Sequence, residues 1–412
     1  MAGANRSMLQ LILELRDIYN VWPFVLYPNS EHNPLKSLLK KNNIDGFNVD
    51  IRFFKTLNNN NNILLKLDYL KYIRGINNIC DKLSQYNFNI IHSNSSVIDV
   101  GGYISSRLKV KHVWHLREFG DIDYDLYPIL GNKYEIITYK NADAFIAISE
   151  AIKKHFNHKI SIPKTYKIYN GIQLPPENNI AKHNNNIIQF ICVGVIMPTK
   201  NQKEIVYAID KIVNKYNIKN IHLTIVGIQD YSYVEGIQSY AKTHYISDYI
   251  TILPETNDIS GLLQKMDIGI MPSNNEAFGR VTIEYMLHNL AVIANDSGAN
   301  LEIIDNKING LIYPKNNVDK LAEKMMILIR NKKLILSLAK NGREKANNKF
   351  VSKINTMHIH SLYCNLLNSP YKKKYSFISI YNLYLWIQNI LLYKFIQFFS
   401  SQKSVLRNYT GY

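Results

Sequence analysis

Glu276 and Glu284 lie eight positions apart in the run Asn275-Glu-Ala-Phe-Gly-Arg-Val-Thr-Ile-Glu284. The run follows an apolar, strand-like stretch, Met266-Asp-Ile-Gly-Ile-Met-Pro272, and it opens an amphipathic helix. Ile283, Met286, Leu287 and Leu290 repeat at i, i+3, i+4, i+7. A strand, a short glycine-containing turn and a helix N-terminus together make an anion site, because unpaired backbone N–H groups and the helix dipole both favour phosphate. Glu276 falls in the turn and Glu284 in the second turn of the helix. One carboxylate can then meet a sugar and the other a ribose, with a diphosphate between them. The plainer alternative is a solvent-exposed glutamate pair on an ordinary β-α unit.

The whole run Pro272-Ser-Asn-Asn-Glu-Ala-Phe-Gly-Arg-Val-Thr-Ile-Glu284 resembles the E-x7-E signature of the group 1 retaining glycosyltransferases with the GT-B fold. Members of that family move a sugar from a nucleotide-sugar to an acceptor hydroxyl. The resemblance implies that Glu276 contacts the donor sugar, that Glu284 contacts the ribose hydroxyls, and that the backbone at Phe278, Gly279 and Arg280 holds the diphosphate. Val193-Gly-Val-Ile-Met-Pro-Thr-Lys200 resembles the family's phosphate loop, with Gly194 and Lys200 in place. Val195 stands where an arginine often follows the glycine, so Arg280 is left to supply the second cation. His115, in Trp114-His-Leu-Arg-Glu-Phe119, resembles the family's strand-end histidine facing the cleft near donor and acceptor. The adjacent Arg117-Glu118 pair resembles polysaccharide-assembly members. Asp296-Ser-Gly-Ala-Asn-Leu-Glu302 resembles a glycine-rich turn beside the donor, matched by Gly298 and Glu302, with Ala299 in place of a second glycine. Ser149-Glu150, Asn170-Gly171 and Gly227 resemble landmarks of a structural kind.

These positions need scaffolding, and the chain supplies short β-branched runs alternating with helical patterns, the mark of parallel β-α-β units. One series runs to about Tyr169. The polar, turn-rich stretch Asn170 to Asn186 reads as a linker, and a second series follows from Ile188 to Tyr313. The expectation is an α/β protein of two Rossmann-like domains facing a cleft, residues 1–172 and 187–350, with 351–412 as a C-terminal helix and basic aromatic tail. Ala2 to Leu13 resembles the glycine turn and first helix that follow the family's opening strand. The first domain is therefore expected to lack its first strand, through a misassigned start or a truncated gene.

Composition limits the alternatives. At 412 residues and 46% apolar content, the chain can bury two cores. Its three cysteines match no metal or redox spacing, and no export signal opens the chain, so a cytoplasmic setting is expected. The net charge of +17 suits an anionic partner. No zinc-finger, RNP-type motif or basic helical stripe points to nucleic acid. Lys372-Lys-Lys374 precedes an aromatic and aliphatic stretch interrupted by Asn382, Gln388, Asn389, Lys394 and Gln397, which reads as an interfacial membrane segment. A nucleotide-sugar carries its own leaving group, so protein cations can neutralise the growing charge, and no metal or other cofactor is expected. The reading is a retaining transferase using a nucleotide-sugar donor and a lipid-linked or saccharide acceptor, in bacterial surface-polysaccharide synthesis. A nucleotide-sugar epimerase of the same fold and a non-catalytic partner subunit remain rivals.

Overall fold

The computed structural model describes residues 3–30, 34–57, 62–160, 164–175 and 186–371. The expected membrane segment and part of the linker, 176–185, lie outside the described residues. Among those described, no helix is long and apolar enough to cross a membrane.

The second domain holds six strands: β7 (Ile188–Val193), β8 (Ile221–Val226), β9 (Ile250–Leu253), β10 (Ile268–Met271), β11 (Ala291–Asn295) and β12 (Leu311–Tyr313). All pair in parallel, in the order β9-β8-β7-β10-β11-β12. β10 and β11 are buried along their whole length, which explains why they read as continuous apolar runs rather than alternating ones. Order reverses between β7 and β10. The crevice outside the carboxyl ends of those two strands is where such sheets bind ligands.

The first domain is built differently. β1 (Phe24–Pro28) pairs only with β2 (Asp45–Val49), while β3 (Ile90–Ser93), β4 (Lys111–Leu116), β5 (Ala144–Ala147) and β6 (Thr165–Lys167) form a separate parallel sheet in that order. Among the described residues no ladder joins the two sheets. Helix α1 (Gly3–Tyr19) bridges them instead. Leu11 and Leu15 join the cluster over β4 and β5, and Met8, Leu9, Ile12 and Leu13 pack on Val25, Tyr27 and Leu39. Each such aliphatic side chain contributes about 1.5–3 kcal/mol when fully buried. After β2 the backbone turns, and Lys55–Thr56 pairs with Tyr127–Pro128.

The domains meet through a continuous core. Tyr169, Phe278 and Phe350 pack as an aromatic triangle with centroids 5.0–6.1 Å apart. Beside it Ile172 forms a parallel bridge with Val351, so two passages of chain run side by side between the domains. After Val351 the C-terminal helix (Ser352–Leu367) returns to the first domain. There Ile359, Leu362 and Leu366 pack against Leu11, Val113, Ala144 and Ile146.

Candidate active site between the domains

Lys200 and Glu276 converge at the β7/β10 switch point. Gly194 follows β7 at φ +144°, and Gly227, following β8, lies with its α-carbon against the Gly194 carbonyl, where any side chain would collide. A short 3-10 turn, Pro198–Lys200, then delivers the lysine. Its Nζ donates to Glu276 Oε2 at 3.1 Å and to Ser273 Oγ at 3.3 Å. The other oxygen of Glu276 accepts from the Gly279 N–H at 3.1 Å, at the start of the helix Arg280–Leu287. Gly279 itself sits at φ +85°. Glu276 raises the pKa of Lys200. Burial alone would raise the Glu276 carboxyl, but the Lys200 ammonium, its hydrogen bond and the Gly279 N–H outweigh burial and hold it below the ordinary range. Both groups are therefore charged at neutral pH.

Arg280 and Glu284 stand one helical turn apart and pair, Nε to Oε1, at 2.9 Å. Arg280 also reaches across the cleft, donating from Nη1 to Ser7 Oγ at 2.8 Å. Phe278 is buried in the aromatic triangle, so only its backbone can contribute to an anion site. Gly298, at φ +56°, lies against the Glu276 carbonyl, and the adjacent Ala299 N–H donates to that oxygen at 2.9 Å.

One expectation is corrected and one gains detail. His115 is fully buried, on a strand covered on both faces, and its Nε2 has no hydrogen-bond partner among the described residues. Its Nδ1 lies 3.1 Å from His92 Nε2, and His92 Nδ1 lies 2.6 Å from Tyr363 Oη. Burial, followed by the nearby Arg117, lowers the pKa of His92 to about 3 and that of His115 well below its ordinary value. Glu302, expected beside the donor, is turned into the first domain. Its carboxylate accepts from the Glu150 and Ala151 N–H groups at 2.7 and 2.9 Å and from Tyr169 Oη at 3.2 Å.

The first domain nevertheless contributes charge. Arg117 is buried and held by the side-chain oxygens of Asn94 and Asn170. Burial, and then the proximity of Arg280, bring its pKa down to about 9. Two arginines close together across a cleft make a site that favours an anion. Glu118 is occupied by Ser95 and Ser96. Tyr124, whose phenol is influenced by Lys200 and Glu276 once burial is counted, sits on a loop tied to the second domain by Asn275 Nδ2 to the Ile122 carbonyl, 2.7 Å. Sequence reasoning missed Tyr124, which has no motif around it, and Ser7, whose stretch was read only as a turn and first helix. Ser149 carries a helix-start signal, but its reach to the Ala277 carbonyl (2.6 Å) is a tertiary contact. A cavity of about 440 Å³ lies elsewhere, between β2 and the helix Ile63–Leu83, lined by Phe47, Arg52, Lys71 and Tyr72 among others. Among the described residues no group of three or more His, Cys, Asp or Glu could hold a metal ion.

Fold and site define a two-domain GT-B protein, and two family models agree. "Glycosyltransferase Family 4" matches residues 2–174 and "Glycosyl transferases group 1" matches residues 176–345. The chain belongs to the group 1 glycosyltransferases. It is 25% identical over 292 residues to an uncharacterized glycosyltransferase of Haemophilus influenzae, covering 70% of this chain and 80% of that one. It is 28% identical to the capsular polysaccharide biosynthesis glycosyltransferase CapM of Staphylococcus aureus, over 55% of this chain and 62% of that one. Among solved structures, HepE of Anabaena in complex with UDP and glucose superposes with a TM-score of 0.70 at 19% identity, covering 88% and 96% of the two chains. A glycosyltransferase from Rickettsia africae superposes with a TM-score of 0.74 at 20% identity, covering 89% and 96%.

Proposed function

We propose that this glycosyltransferase moves a sugar from a nucleotide-diphosphate sugar to an acceptor hydroxyl with retention of anomeric configuration, in bacterial surface-polysaccharide synthesis. The observation that carries the reading is the Lys200–Glu276 pair at the switch point, with Arg280 and Arg117 beside it. The diphosphate takes the place between these cations and the Gly279 turn. Lys200 then turns from Glu276 toward phosphate, and Glu276 accepts from a hydroxyl of the donor sugar, while Glu284 accepts from the ribose. As the bond from the anomeric carbon to the diphosphate oxygen breaks, charge grows on that oxygen, and the preorganised cations stabilise it more than they stabilise the intact donor. The acceptor oxygen bonds to the anomeric carbon on the face the diphosphate leaves, and its proton passes to the departing diphosphate. No metal takes part, so a chelator leaves the rate unchanged.

A lipid-linked acceptor is supported by a relative. An Escherichia coli protein, 22% identical over 71% of this chain, is named a UDP-Gal:alpha-D-GlcNAc-diphosphoundecaprenol alpha-1,3-galactosyltransferase. The tail from Lys372 onward is proposed to contact the inner face of the membrane, and truncation after Ser369 is expected to release the protein from the pellet. Incubation with radiolabelled nucleotide-sugars and bacterial membranes tests the reading as a whole. Label is expected in the lipid extract. Label recovered as an isomerised nucleotide-sugar would instead establish an epimerase, and no change of label a non-catalytic subunit.

A further inference from the structure

Glu302 belongs to the second domain, on the four-residue helix Asn300–Ile303, yet all three of its hydrogen-bond partners named above belong to the first. Two successive N–H groups at the start of the helix Glu150–Ile160 donate to its two oxygens, one to each. A helix start leaves such N–H groups unpaired and carries positive dipole charge, so a carboxylate placed there satisfies both. Here that carboxylate comes from another domain.

The same helix start is also tied to the donor-side turn. Ser149 Oγ accepts from the Ile152 N–H at 3.1 Å and donates to the carbonyl of Ala277, the residue after Glu276. The segment bearing Glu302 grips the turn from its other side, since Ala299 donates to the Glu276 carbonyl and Gly298 packs against it. The contacts form a closed ring: the Glu276-Ala277 backbone, Ser149, the helix Glu150–Ile160, Glu302, Ala299 and back to Glu276. Separating the domains breaks two sides of the ring together.

We propose that Glu302 and Ser149 form an interdomain clasp, made only when the domains are closed, that holds the Glu276 turn in its reactive position. Glu302 is on this account a positioning residue and does not touch the donor. The proposal rests on the transferase reading for its kinetic consequence only; the clasp itself is a matter of domain position. The presence of both carboxylate oxygens on N–H donors makes glutamine a discriminating replacement, because its amide turns one acceptor into a donor aimed at an N–H.

The experiment combines an interdomain distance with kinetics. Spin labels at Asn77→Cys and Lys242→Cys, both exposed helix positions on opposite domains, with the exposed Cys364 replaced by serine, report closure with and without UDP. Glu302→Gln is expected to add a longer-distance population and to lower kcat about tenfold, while donor affinity changes less than threefold. Ser149→Ala should act in the same direction more weakly. The double variant should lose less than the product of the two, because both break one unit. A wild-type distance distribution in Glu302→Gln overturns the clasp. So does donor affinity that falls with kcat unchanged, which would make Glu302 a donor contact, or a kcat loss that merely tracks the unfolded fraction. If the wild-type protein transfers no sugar, the transferase reading fails, and the distance measurement still decides the clasp.

Discussion

Two polar pairs at strand ends, Lys200–Glu276 in the second domain and His92–His115 in the first, have opposite electrostatics. In the first pair each partner stabilises the other's charge, moving the lysine up and the glutamate down. In the second, burial removes charge from both rings and leaves a neutral chain that ends on Tyr363. Both lie near the carboxyl ends of parallel strands, so position alone does not make a site. What separates them is whether burial comes with an opposite charge: Lys200 and Glu276 supply one to each other, whereas His92 and His115 are buried beside the cation Arg117.

The largest expected effect comes from removing the cation of the charged pair. Lys200→Ala leaves a buried carboxylate without its partner and the diphosphate without a donor. Steady-state kinetics should record a fall in kcat/KM of roughly a hundredfold or more, the usual consequence of losing one preorganised donor. A near wild-type rate would put Lys200 outside the site and dissolve the contrast. Arg280→Ala should weaken UDP binding, measured calorimetrically, roughly ten- to hundredfold, equivalent to a charged hydrogen bond of ~1.5–3 kcal/mol. Unchanged affinity would assign the diphosphate to other groups.

The histidine pair should show itself in stability rather than rate. Unfolded imidazoles titrate near about 6.5, whereas His92 titrates near about 3 in the fold and His115 well below its ordinary value. The unfolded chain therefore binds more protons throughout that window. Stability is intact above about pH 6.5 and falls as pH drops toward 3, with a slope of up to ~1.4 kcal/mol per pH unit for each ring. Urea midpoints at descending pH measure the slope, and His92→Gln should remove part of it. A rate profile between pH 6 and 8 that loses an ionisation in His115→Gln would show instead that this ring reaches the reaction.

The legible part of the molecule was the part governed by local pattern. β10 falls within the apolar run Met266 to Pro272, β7 opens and β12 closes the second series from Ile188 to Tyr313, and Lys200 and Glu276, 76 residues apart, converge because a switch point brings the ends of β7 and β10 together. The surroundings of His115 and the direction of Glu302 were not legible. What lies over a β4 residue depends on which helix returns to cover it, and that helix is more than 200 residues away. Glu302 sits at the right place in its turn, but its direction is decided by two N–H groups at Glu150 and Ala151, a contact no spacing encodes.

The returning helix Ser352–Leu367 has one more implication, for the order in which the protein is made. The ribosome finishes the first domain's strands long before it emits Ile359, Leu362 and Leu366, the residues that cover Val113 and Ile146. Through the synthesis of the whole second domain the nascent chain carries an uncapped apolar face, the kind of surface that attracts chaperones or aggregates. Expressed by itself, the first domain should carry that exposure permanently. The lid it needs is encoded only after the whole second domain.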